Sequence, residues 1–153
     1  MSFNCPICAK HQGEGPLVGP TVWQDDLVIV THRPLGADGR VFLGYLFLET
    51  RRHAPALDDL TEVEALAVAR TAWRAARGLR AELSPEFIFS AIIGQAVRHF
   101  HQHLFVRYSG TPKEYDWMQV EEWPQAPRGG VAEVNELCVR LRPYLKGTKV
   151  PPI

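Results

Sequence analysis

The sequence predicts an α+β fold, with a mainly antiparallel sheet of about five strands and two helices. Short runs rich in Val, Ile, Phe, Trp and Thr, each closed by turn residues, fill much of the chain. One long segment has helical rather than alternating periodicity, and a shorter one does so near the C-terminus. Strands and helices come in mixed order, without the regular strand-helix alternation of a parallel sheet.

The elements follow in order. "TVWQDDLVIVTHRP" is two β runs meeting at Asp25-Asp26 and stopped by Pro34, the pattern of a hairpin. The turn-rich "LGADGR" leads into "VFLGYLFLETRRH", read as one more strand. In "LTEVEALAVARTAWRAARGLRAEL" the apolar Val63, Leu66, Trp73, Ala76 and Leu83 fall near one helical face, with arginines mostly on the others. Thr61 and Glu64 have the spacing of a capping box, and Ser84-Pro85 ends the helix. "FIFSAIIG" and "HFHQHLFVRY" read as an antiparallel pair. "VAEVNELCVRLRPYLKG" is a final helix with Val134, Leu137, Cys138 and Leu141 on one stripe, disturbed at Pro143.

At 153 residues and 46% hydrophobic composition the chain fits one domain, 1–153, with a cysteine-bearing arm at 1–15, an irregular aromatic segment at 109–130 and an extended tail at 147–153. Seventeen basic residues balance seventeen acidic ones, so no global field recruits a nucleic acid polymer or an anionic membrane. No run is long and apolar enough for a signal sequence or a membrane span, which makes a cytoplasmic location the expectation. Three cysteines argue against a disulfide framework, and Cys5-Pro6-Ile7-Cys8 has the spacing of a metal knuckle or a redox pair.

The chemistry concentrates in "GQAVRHFHQHLFVRY". His99, His101 and His103 alternate, and alternate residues of a strand share a face. Three clustered imidazoles serve either a catalytic metal with an open position or a nucleophile flanked by orienting groups.

"HFHQHLF", with Gly94-Gln95 before it and "FLGYLFLETRRHAPALDDLTEVE" upstream, resembles the histidine triad (HIT) signature, and the resemblance covers roughly residues 4 to 108. It implies a HIT-like fold, a homodimer with joined sheets, and hydrolysis at the α-phosphate of a nucleoside phosphoramidate, adenylate or dinucleoside polyphosphate. His101 would be the nucleophile, forming a covalent nucleotidyl-histidine. The backbone carbonyl of His99 would hold the Nδ1 proton of His101, while His103 and Gln95 would bond phosphate oxygens. The zinc-bearing branch implies a structural Zn2+ on Cys5, Cys8, His53 and His99, which disfavours a triad-bound catalytic metal; His11 is a nearer competitor to His53, and His32 a remote one.

Departures from the pattern affect the nucleoside side. Many such hydrolases carry Asp or Asn at the end of the strand before the Pro turn, to hold a ribose; here the strand ends "VTHRP", leaving Thr31 or His32 as the nucleotide-binding candidates. Ala96 replaces a common Ser or Thr, and Ser90 stands on the strand where Asn is common. Gln102 points toward the helices and needs a partner there. His103, rather than Gln, two residues after the nucleophile favours hydrolysis over transfer. The alternative is a nucleotide-binding or regulatory module with little turnover. Tyr115, Trp117, Met118 and Trp123 suggest a wall that stacks on a base or a cover for the sheet. Arg107 and Arg128 read first as surface arginines, and second as phosphate contacts.

Overall fold

A computed structural model describes residues 4–152; the first three residues of the arm and Ile153 of the tail lie outside the described residues. Thr21–Gln24 (β1) and Val28–His32 (β2) form the expected hairpin, whose turn is set by the Asp25 carboxylate accepting from the Leu27 and Val28 amides at 2.8 Å each. The next segment is two strands, Val41–Phe42 (β3) and Tyr45–Thr50 (β4), rather than one. The break is Gly44, at φ +86°, where a Cβ would lie 2.8 Å from Leu83. Phe87–Ile92 (β5), His101–Arg107 (β6) and Arg128–Gly129 (β7) complete the strands.

The main sheet has the order β1-β2-β4-β6-β5, all pairs antiparallel, while β3 pairs with β7 in a small separate ribbon. Strand alternation divides the sheet into two chemically different faces. Val28, Val30, Leu46, Leu48, Leu104 and Val106 form one face, all buried, beneath the helices Glu62–Leu83 (α2) and Val131–Lys146 (α3). Burying branched and aliphatic chains between a sheet face and two helices is the main favourable term in this architecture. The opposite face carries Tyr45, Phe47, Glu49, His101, His103 and Phe105, aligned by the β4–β6 register.

The capping box at Thr61 and Glu64 is present, with the Glu64 amide bonded to the Thr61 hydroxyl at 3.2 Å and Glu64 Oε2 accepting from the Thr61 amide at 2.9 Å. The buried face of α2 differs from the apolar stripe expected. Val68, Thr71, Ala75, Gly78 and Leu79 face inward, while Val63, Leu66 and Trp73 are 63%, 58% and 56% exposed. Small residues allow α2 to approach α3 closely: a Cβ on Gly78 would sit 3.1 Å from Leu141 and 3.2 Å from Tyr144. The α3 stripe of Val134, Leu137, Cys138 and Leu141 is buried as its spacing predicts. Pro143 does not break α3, because Tyr144 and Leu145 are buried and hold the last turn, which ends at Gly147 in the left-handed region.

Three further elements escaped the sequence pattern, one of them the single 3-10 turn Leu57–Asp59. Pro6–His11 forms a short helix (α1), capped by the Cys5 side chain, and the ribbon strand β7 lies within the irregular aromatic segment. No helix among the described residues is long and apolar enough to cross a membrane.

Candidate functional site

His101 and His103 lie on β6, on the sheet face away from the helices, with ring centroids 5.2 Å apart. His99 precedes the strand and is fully buried, so only two of the three histidines share the face that alternation predicts. The three rings have different partners. His99 Nε2–H donates to the Thr50 carbonyl at 2.7 Å, and its Nδ1 lies 3.5 Å from the sulfurs of both Cys5 and Cys8. His101 Nδ1–H donates to the His99 carbonyl at 2.7 Å. His103 Nδ1 lies 2.8 Å from the Tyr45 hydroxyl.

Cys5, Cys8, His53 and His99 converge, with one donor atom from each lying within 4.8 Å of all the others. His53 Nδ1 is 3.5 Å from Cys8 Sγ. A tetrahedral zinc with ordinary Zn–S and Zn–N bonds sets S···N edges of about 3.6 Å. The donor set therefore fits that ion in chemistry and in spacing. The Thr50 carbonyl holds the remote proton of His99, leaving Nδ1 as the free donor, the usual support for a metal-bound imidazole. Burial, and then Cys5, push the Cys8 thiol up to about 11, a cost that a bound cation would reverse. His11 stays out of this cluster and bonds Glu49 Oε2 at 2.9 Å.

Glu49 pairs directly across the strands with His101 and is 2% exposed. Its other oxygen receives Lys10 Nζ at 2.7 Å, and Lys10 lies 5.1 Å from the Phe47 ring centroid. Burial alone would raise the Glu49 carboxyl, but His11 and Lys10 together hold it below its ordinary value. A cavity of about 270 Å³ is lined by Ile7, Lys10, Arg33, Phe47, Glu49 and His101 among others. A second, of about 350 Å³, borders His101 together with Leu57, Asp58, Ile92, Ile93 and Arg98. His101 thus borders both spaces.

Tyr45 connects the site to β2. Arg33 stacks over the Tyr45 ring at 4.9 Å and is ion-paired with Glu121 of the aromatic segment. His103 is pushed down to about 4, first by burial and then by the charges of His101 and Arg33, so the ring is neutral near neutral pH. Burial also lowers His99.

The two nucleotide-binding candidates from the β2 end are placed differently from expectation. His32 is fully buried on the helix side, donating from Nδ1 to the Arg33 carbonyl at 2.8 Å and accepting the Gly44 amide at Nε2, 3.1 Å. Both nitrogens are engaged, so His32 is a structural residue rather than a ligand contact. Thr31 lies on the site face but is 3% exposed, and its hydroxyl has no partner among the described residues. Arg33 lines the cavity instead. Gln95 is exposed on the β5–β6 connection. Gln102 finds its partner in Ser90, 2.6 Å away. Arg107 is neither a surface arginine nor a phosphate contact: its guanidinium donates to the carbonyls of Thr111, Pro112 and Tyr115 and shapes the loop. Trp117 stacks on Phe105, with centroids 6.5 Å apart at 20°, beside the histidine face.

Arg33, Tyr45, Lys10 and Glu49 were missed from sequence. Alternation could have placed three of them, since Ile29, Thr31 and Arg33 share a side, as do Tyr45, Phe47 and Glu49, whereas Lys10 lies on the short helix Pro6–His11.

Together the sheet order, the imidazole pair and the adjoining thiol-imidazole knot define the fold of the histidine triad proteins. The structure is similar to a zinc-bound histidine triad protein of Mycobacterium smegmatis, at 21% identity and a TM-score of 0.64, with 96% of each chain covered. It is also similar to a HIT-like protein of Bartonella henselae, at 16% identity, TM-score 0.68 and coverage of 94% and 98%. A hypothetical histidine triad nucleotide-binding protein of Sulfolobus tokodaii matches at 15% identity, TM-score 0.67 and coverage of 94% and 93%. No family model matches the chain, and no curated protein is significantly similar to its sequence.

Proposed function

We propose that this chain is a zinc-carrying HIT hydrolase that cleaves a nucleoside phosphoramidate, adenylate or dinucleoside polyphosphate through His101. One observation carries the reading. The Nδ1 proton of His101 is committed to the His99 carbonyl at 2.7 Å, which leaves the Nε2 lone pair for attack in a ring that borders both cavities. Nε2 forms an N–P bond to the α-phosphorus, the bond from phosphorus to the leaving group breaks, and the electron pair departs with the leaving atom. The Tyr45 hydroxyl donates to His103 Nδ1, so that neutral His103 carries its proton on Nε2 and donates it as a hydrogen bond to a phosphate oxygen. Water then attacks the nucleotidyl-histidine, releasing the nucleoside monophosphate and returning the imidazole.

Cys5, Cys8, His53 and His99 would hold the zinc, whose chemistry is structural cross-linking of the arm to the β4 end and the catalytic strand. The homodimer belongs to the same proposal. Val63, Leu66 and Trp73 on α2, with Phe87, Ile92 and Ile93 on and beyond the free edge strand β5, form an exposed apolar surface that a second copy would cover. A binding module with little turnover is the second reading, favoured by the exposed position of Gln95.

The test is to mix the protein with an aminoalkyl adenosine phosphoramidate, quench in base and map the mass increment by peptide sequencing. An adenylyl group on His101 is expected; substrate bound without any adduct or product would favour the binding module.

A further inference from the structure

We propose that Arg33 is a specificity-determining residue which binds a second phosphate on the nucleotide half of the substrate. The proposal rests on the assignment of His101 as the reacting residue and adds what the cavity beside it selects. Lys10 and Arg33 both line that cavity, together with Glu49 and His101. A count of donors and acceptors shows what such a wall offers. Both Glu49 carboxylate oxygens are already engaged, Oε1 by Lys10 and Oε2 by His11. Arg33 has five N–H donors and spends one on a side chain, that of Glu121. The cavity therefore presents spare cationic donors beside a carboxylate already held by two donors, a wall whose charge suits an anion.

Position separates this anion from the reacting one. Glu49 lies opposite His101, Phe47 opposite His103, and Arg33 stacks on Tyr45, opposite Phe105. At about 3.4 Å per residue the Tyr45–Phe105 pair lies roughly 14 Å along the sheet from His101, and Arg33, which lines the same cavity as His101, reaches back from there to grip its anion between the two. Lys10, at the Glu49 end, stays with the reacting phosphate. The Glu121 carboxylate, ion-paired with Arg33 through Nη1, is an internal anion with which a second phosphate competes. The ligand class is a nucleotide with phosphate on both the 5′ position and a ribose 2′ or 3′ oxygen.

Calorimetric titration of the whole zinc-loaded protein with AMP, adenosine 2′,5′-bisphosphate and adenosine 3′,5′-bisphosphate tests this. At least one bisphosphate is expected to bind about tenfold or more tightly than AMP. Arg33→Met should collapse that ratio toward one, Arg33→Lys should recover part of it, and Glu121→Gln should widen it. Equal affinities for AMP and both bisphosphates, or a ratio that survives Arg33→Met, overturn the proposal while leaving the His101 chemistry standing. If none of the three binds and no His101 adduct forms, the underlying reading fails and the proposal falls with it.

Discussion

His99 and His101 are two residues apart and carry opposite tautomers. The first gives its Nε2 proton to the Thr50 carbonyl and turns Nδ1 toward two thiols, whereas the second gives its Nδ1 proton to the His99 backbone and keeps Nε2 open. One residue thus serves both sites, by its ring at the thiol knot and by its carbonyl at the His101 imidazole. Spacing did not determine these roles. The carbonyl each ring meets determined which nitrogen keeps a lone pair.

The comparison can be broken most severely at the open nitrogen. His101→Ala should lower turnover of a nucleoside phosphoramidate by about 10³-fold or more while zinc per chain, measured by atomic absorption, stays unchanged. Zinc lost together with activity would mean that the two centres are not separate. At the other end, Cys8→Ser should lose the metal and lower Tm by roughly 10 °C, at about 2–4 °C per kcal/mol for a domain of this size. An unaltered melting curve would remove the structural role.

Tyr45→Phe sharpens the comparison by releasing the third ring. Losing one hydrogen bond of about 1 kcal/mol should reduce kcat roughly fivefold with KM little changed, and nitrogen NMR should show His103 as a mixture of tautomers. A fixed tautomer would mean that Tyr45 is packing alone.

The smallest effect is in pH. His103 faces His101 on its own strand, Tyr45 and Glu49 on β4 and Arg33 beyond β2, and its value is held at about 4. Between about 4 and the ordinary histidine value of 6.5 the unfolded chain binds the proton and the folded one does not. This contribution is thus complete above 6.5 and is lost as pH falls toward 4. Urea midpoints of wild type minus those of His103→Gln should decline across that window, and a flat difference would refute the shift.

Much of this was legible in the chain itself. The β1–β2 hairpin, the α2 cap, the α3 stripe and the antiparallel β5–β6 pair follow local rules, and the four sulfur and nitrogen donors were identifiable by resemblance. The inward face of α2 was not, because a stripe of Ala, Gly and Thr chosen for close approach to α3 carries little hydrophobic signal, while Trp73 and Leu66 outside carry a strong one. β7 is only two residues long and pairs with an equally short partner, so no alternation marks it. Thr31 and His32 were candidates by their place at the strand end before Pro34, but the pleat, which puts His32 among the helices and Arg33 at the cavity, decides accessibility.

The helix Pro6–His11 is one and a half turns long, too short to persist alone in water. Its amides are therefore protected from exchange only while Cys5 and Cys8 are held at one end and Lys10 and His11 at Glu49. Deuterium uptake at these few positions becomes a gauge of how often the cavity loses its Ile7 and Lys10 wall. The slowest-exchanging amide there sets an upper limit on how frequently the site opens to bulk solvent from the N-terminal side.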